Sequence, residues 1–238
     1  MTTNLVMTCY LNGKKDPQRP KFWDADDYTM MGPWHKSLSQ FQIPGLIFHD
    51  CLSEEFVKKH TTPFITFKKI ALCSGRSLND ERFFLYNDFL SGEGSELGYV
   101  LLTDLSDVDF FSDPFLLMGG SSFPNAKLFG CGKGFLIGDK REIYTQRKML
   151  TSYAKVLYPE NLCLNAGIIG GSKRHIQELI QAMLADFRTI NPRENVNMGV
   201  YNKCAHELFH PDEILIGHPF SSRFNAFEKP GAFCIRHK

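Results

Sequence analysis

No apolar run in the 238 residues approaches the length of a membrane span, and no basic-then-apolar leader opens the chain. Both absences predict a protein without a spanning helix. No two cysteines stand in a Cys-x-x-Cys pair, which argues against a zinc site. The seven that occur (Cys9, Cys51, Cys73, Cys131, Cys163, Cys204 and Cys234) are scattered and odd in number. They read as free thiols in a reducing, cytoplasmic compartment. Surplus charge is missing as well: 27 Lys and Arg against 26 Asp and Glu leave +1. That balance gives no reason to expect nucleic acid or an anionic membrane as partner. What is plentiful is phenylalanine, 21 residues of it, which predicts an aromatic core and ring-lined pockets.

Apolar runs and amphipathic stretches alternate along the chain with no internal repeat and no linker. Strands are expected at 4–11, 46–50, 64–70, 99–103, 126–130, 161–172, 212–217 and 233–238. Helices are expected at 24–42, from about 53, at 79–90, at 141–157 and after Ser172. This order predicts one α/β domain over residues 1–238, with a mixed, mainly parallel sheet flanked by helices. Asp80 and Ser172 stand where helix caps belong, and Ile176, Leu179, Ile180, Met183, Leu184 and Phe187 form the stripe of an amphipathic helix. Gly130, Gly132 and Gly134 lack the dinucleotide-binding spacing and read as a turn.

The most informative stretch is 98–115. Tyr99 to Thr103 is an apolar run that reads as a strand buried on both faces, and three acids follow it: Asp104, Asp107 and Asp109. In an open α/β sheet the ligand crevice lies beyond the carboxyl ends of the strands. Carboxylates gathered there repel one another and need a cation, and all-oxygen ligands favour Mg²⁺ or Mn²⁺ shared with a phosphate. The same acids also read as the start of a solvated loop, since Asp and Ser are turn formers. Asp113-Pro114 is structural, because Pro114 forces an extended residue before it.

This apolar strand, its Asp pair and the following Asp-Pro-Phe resemble the metal-binding DxD region of GT-A glycosyltransferases. Asn165-Ala166-Gly167, in a strand that leads into a helix, is similar to the sugar-lining segment of the glycogenin-like members. The resemblance implies a single Rossmann-like GT-A domain and a Mn²⁺ or Mg²⁺ ion held by Asp104, Asp107 and His237. Asp107-Val108-Asp109 is the literal DxD, so Asp109 joins the candidate ligands, and His218 is the alternative to His237. Catalytic work would fall to Asp107, Arg82 and Asn165. The donor would be met by Thr8, Tyr10, Asp50, Arg82, Asp104 and Lys238, with Tyr10 stacking on the base. Tyr10 reads equally as a core ring, Asp50 as a helix cap, Arg82 as a solvated helical residue and His237-Lys238 as a solvated tail. Asp16, Arg19 and Lys21 are further charges that can approach phosphates, and Asn197 stands where the family has an acid.

The activity implied is metal-dependent transfer of a hexose or similar sugar from a nucleotide-sugar, a UDP-sugar favoured, to a hydroxyl of a glycan or glycoconjugate. No carboxylate base is evident beside Asn165 or Asn197 except Glu194, which favours retention of anomeric configuration. The chain lacks the anchor typical of a Golgi lumenal transferase. Two other readings stand beside this one. A Mg²⁺-dependent phosphotransferase or phosphatase also places acids at a strand end, although Asp104-Leu-Ser-Asp107 lacks the Asp-x-Asp-x-Thr order of the haloacid dehalogenase group. A non-catalytic nucleotide-sugar-binding module would keep the fold without the chemistry.

Overall fold

Residues 3–14, 24–72, 75–94, 96–191, 194–226, 228–229 and 231–238 are described in a computed structural model of the chain. The first half alternates strand and helix: β1 (Thr3–Tyr10), α1 (Gly32–Gln40), β2 (Gly45–His49), α2 (Glu54–His60), β3 (Ile65–Lys69), α3 (Leu78–Ser91) and β4 (Leu97–Thr103). The second half adds β5 (Val108–Phe110), α4 (Pro114–Met118), β6 (Leu128–Leu136), α5 (Ile143–Tyr153), β7 (Leu162–Ser172), α6 (Lys173–Thr189), α7 (Asn197–Leu208), β8 (Ile214–Ile216) and β9 (Ile235–His237).

Among the described residues seven strands form one sheet in the order β3-β2-β1-β4-β7-β6-β8. The first four are mutually parallel, β7 runs against both β4 and β6, and β8 is parallel to β6. This is the mixed, mainly parallel Rossmann-like α/β architecture that the sequence predicts. From β1 the chain moves outward through β2 to β3, then returns to lay β4 on the other side of β1. The crevice outside the carboxyl ends of β1 and β4 is therefore the topological switch point, the usual ligand position in such sheets. A separate antiparallel ribbon pairs β5 with β9, setting Val108 opposite His237 and Asp109 opposite Arg236.

Helices α3, α6 and α7 cover one face of the sheet, and α1, α2 and α4 cover the other. The expected stripe of α6 is buried from Ile176 to Phe187, and each such side chain contributes about 1.5–3 kcal/mol by leaving water. Ser172 caps this helix by accepting from the His175 amide, and Ser53 caps α2 by accepting from Phe56.

Several local expectations give way. The helix expected over 24–42 is α1 alone, preceded by a 3₁₀ turn at Tyr28–Met30. Pro33 starts the helix, because its missing N–H costs nothing in the first turn. The Gly130–Gly134 stretch is no turn: it lies inside β6, bonded to β7. A Cβ on Gly130 would come within 3.0 Å of the Ile168 carbonyl, and one on Gly132 within 2.5 Å of that of Cys163. Those glycines serve close strand approach instead. Asp80 caps no turn of α3, since Ser77 does so. Buried Asp80 instead accepts the Asn197 amide at 2.9 Å, tying the start of α7 to α3. Among the described residues no helix is long and apolar enough to cross a membrane. The cysteines described are all unbridged. Asp16, Arg19 and Lys21 lie outside the described residues.

Candidate metal centre and cavity

Beyond β4 the chain turns sharply, and the ribbon of β5 and β9 brings the far end of the sequence beside that turn. Asp104, Asp107 and His237 meet there, with one ligand atom from each within 4.8 Å of the others. His237 Nε2 stands 3.6 Å from Asp104 Oδ2 and 3.7 Å from Asp107 Oδ2. Its other ring nitrogen, Nδ1, lies 3.2 Å from Cys131 Sγ on β6, which holds the ring with Nε2 toward the carboxylates. Gly167 of β7 leaves the room: a Cβ there would overlap the His237 ring and come within 2.6 Å of Asp104 Oδ2.

Arg82 is no solvated helical residue. It is buried on α3, ion-paired through Nη1 to Asp104, and its Nη2 donates to the Ala166 carbonyl at 2.9 Å. Burial opposes ionisation of Asp104, but Arg82 and His237 outweigh it and hold this carboxyl well below the usual range. Burial likewise favours a neutral His237, yet Cys131 and the two carboxylates raise its affinity for a proton well above the ordinary value. The two acids thus gather positive charge at Nε2, and a divalent cation competes with the proton for that lone pair. Two carboxylates against one guanidinium leave a net negative site when His237 is neutral.

The cluster opens into a cavity of about 320 Å³, within the range of small-molecule sites. Thr8, Arg82, Asn165 and Asn197 line it with the three cluster residues. Thr8 donates its hydroxyl to the Thr103 carbonyl at 2.9 Å, joining β1 to β4 at the switch point. Asn165 Oδ1 accepts from the Gly167 amide at 2.8 Å. Burial pushes the thiols of Cys9 and Cys163, both in the cavity wall, up to about 12, so neither supplies a thiolate near neutral pH.

Other sequence-predicted residues lie elsewhere. Asp109 does not join the cluster: its Oδ2 takes Arg236 at 2.5 Å and Lys238 at 2.8 Å. Lys238 is therefore committed to an acid and is absent from the cavity wall. Tyr10 is a core ring, fully buried, donating its hydroxyl to the Asp24 carbonyl at 2.8 Å. Asp50 accepts the amides of Asn12 at 2.9 Å and Gly13 at 2.6 Å, so it braces the turn after β1 rather than capping α2. His218 pairs with Glu228 at 2.9 Å, away from the acids, and Glu194 is exposed outside the cavity.

One cavity residue has no counterpart among the expected set. Glu142, at the start of α5, is 4% exposed and lines the wall with Lys133 and Tyr144. In sequence it follows Lys140-Arg141 inside the helix expected over 141–157, with nothing local to mark it as a cavity residue. No protein-family model matches the chain, nor does any curated protein.

Proposed function

We propose that this protein is a metal-dependent glycosyltransferase that moves a sugar from a nucleotide-sugar, a UDP-sugar favoured, to a hydroxyl of a glycan or glycoconjugate. The observation that carries the reading is the Asp104–Asp107–His237 cluster at the switch point, with Arg82 against it and Asn165 beside it in one cavity. The donor set suits Mn²⁺ or Mg²⁺: two carboxylates and one imidazole, Asp107 Oδ1 buried without a hydrogen-bond partner, and space that a Cβ on Gly167 would fill. Asp104, Asp107 and His237 Nε2 would hold the ion. When bound, it neutralises the donor diphosphate and stabilises the departing nucleoside diphosphate.

The chain's own residues do the rest. Arg82 keeps Asp104 ionised and adds a fixed positive charge beside the diphosphate. Cys131 sets the tautomer of His237. Asn165, its Oδ1 engaged by Gly167, keeps its NH₂ to donate to sugar hydroxyls. Thr8 fixes the floor of the crevice by joining two strands.

Calorimetric titration of the chain with UDP and with GDP, in Mn²⁺ and again in EDTA, tests this reading. Binding of UDP that appears with Mn²⁺ and vanishes in EDTA is the expected result. Failure of both nucleotides to bind in Mn²⁺ refutes the reading.

A further inference from the structure

The cavity has a second pole that the metal cluster does not use. Among the described residues Glu142 Oε1, which is buried, has no hydrogen-bond partner, and Lys133 Nζ stands 3.7 Å away. Oε2 receives only the Cys163 thiol at 3.5 Å, a weak donor. Buried carboxylates are normally satisfied by strong donors, and one left with open lone pairs in a cavity wall is built for a group that arrives from outside. Tyr144 lines the same end with a ring that is 44% exposed, an amphipathic surface of the kind that takes the flat face of a sugar.

The two poles are spaced by β7. Gly167 abuts the Asp104–His237 contact, and Cys163 touches Glu142. Four residues of extended chain span at most about 14 Å. Asn165 lies between them, on the same wall. A diphosphate at the cluster therefore sets its sugar near Asn165, with the far side of that sugar toward Glu142. A second path joins the poles: the Phe224 ring packs 4.5 Å from the His237 ring, and Lys133 Nζ stands 5.8 Å from the Phe224 centroid.

We propose that Glu142 is the acceptor-side base: its Oε1 receives the hydrogen bond of the attacking hydroxyl and takes its proton. This rests on the glycosyl-transfer reading above. The acceptor oxygen forms a bond to the anomeric carbon, and the bond from that carbon to the diphosphate oxygen breaks. Its electron pair leaves with the nucleoside diphosphate, and the acceptor proton moves to Glu142 and then to solvent. Lys133 Nζ faces the carboxylate from 3.7 Å, a separation that leaves Oε1 open to the hydroxyl. The acceptor is a hydroxyl-bearing sugar, with Tyr144 beneath its ring. A base in this position serves single displacement, against the retention that the want of an acceptor-side carboxylate favours in the sequence. The product is expected to have inverted configuration.

The experiment compares wild type with Glu142→Gln, using Mn²⁺ with UDP-glucose, UDP-galactose and UDP-N-acetylglucosamine as donors and water or free mono- and disaccharides as acceptors. Expected are unchanged calorimetric affinity for UDP with Mn²⁺, turnover lower by about 100-fold or more, and an inverted anomeric signal by proton NMR. Glu142→Asp, which keeps a carboxylate, should recover part of the lost turnover, and it decides the matter should Glu142→Gln lose its melting transition. Turnover of Glu142→Gln within threefold of wild type, a Glu142→Asp as inactive as the amide, or a retained configuration each overturns the assignment while leaving the transferase reading intact. Absence of Mn²⁺-dependent UDP binding in wild type removes that reading and this one with it.

Discussion

Asp107 and Asp109 stand two residues apart, on either side of Val108, and the fold gives them opposite surroundings. Asp109 lies on β5 opposite Arg236, and two cations close on its Oδ2. Asp107 precedes the strand, and among the described residues its carboxylate pairs with the His237 ring and with no lysine or arginine, while Oδ1 of both acids is buried without a hydrogen-bond partner. Asp109 is neutralised within the chain, whereas Asp107 keeps a negative charge open to a partner from outside. Asp80 is a third case, a buried carboxylate that accepts the backbone amides of Val196 and Asn197. An acidic motif therefore tells less than the charge that the tertiary neighbours bring to each member.

The contrast breaks most directly at its first pair. Asp107→Ala is expected to weaken Mn²⁺ binding by about 100-fold or more, while Asp109→Asn changes it less than threefold, both read by calorimetry with UDP present. Equal losses in the two variants would mean that the ion pairs around Asp109 are not what separates the acids. The next effect concerns space instead of charge. Gly167→Ala should cost at least about tenfold in Mn²⁺ affinity, because the new methyl displaces His237 and Asp104. Overpacking of this kind also lowers stability by about 1–3 kcal/mol, visible in a metal-free melt. An unaltered Mn²⁺ isotherm for this variant would show that the cluster does not depend on that gap.

The smallest effect sharpens the third case. Burial raises the Asp80 carboxyl to about 6, against the opposing amide hydrogen bonds. The folded chain then holds this proton more tightly than the unfolded chain does, so the associated stability is full near pH 4 and is lost as pH rises through about 6. Asp80→Asn keeps an oxygen for the Asn197 amide and carries no charge. It should gain about 2 kcal/mol on wild type at pH 7 relative to pH 4, the worth over that range of a carboxyl raised to about 6. A stability difference that stays flat between those pH values, measured by denaturant melts, counts against a raised Asp80.

Asp104 was legible because it sits at the end of an apolar run, and such runs survive translation into strands; Asp107 and His237 were reached through the resemblance to the DxD region. Asp104 follows β4 and His237 ends β9, as the alternation of the chain predicts. Asn165 and Gly167 were likewise reached through the resemblance. What was hidden depended on partners distant in sequence. Glu142 owes its burial to Cys163 and Lys133, on strands that nothing near Lys140-Arg141 reveals. Tyr10 and Asp50 stood where a nucleotide would lie, but backbone groups of Asp24, Asn12 and Gly13 claim their polar atoms. The glycines of β6 misled because flexibility and close approach call for the same residue.

The ribbon of β5 and β9 carries a last consequence. A two-stranded pairing is marginal by itself in water, and this one is steadied by Val108, Phe110 and Ile235 in the core that also holds Phe115 and Phe220. His237 is on one of its strands, and Asp107 borders the other, its carbonyl accepting the Lys238 amide at 2.9 Å. On the proposed metal reading, ion capture and ribbon closure would be coupled. An ion held there would act as a rivet between segments separated by most of the sequence, beside the Ser221–Ile235 bridge that already ties β9 to the chain before it.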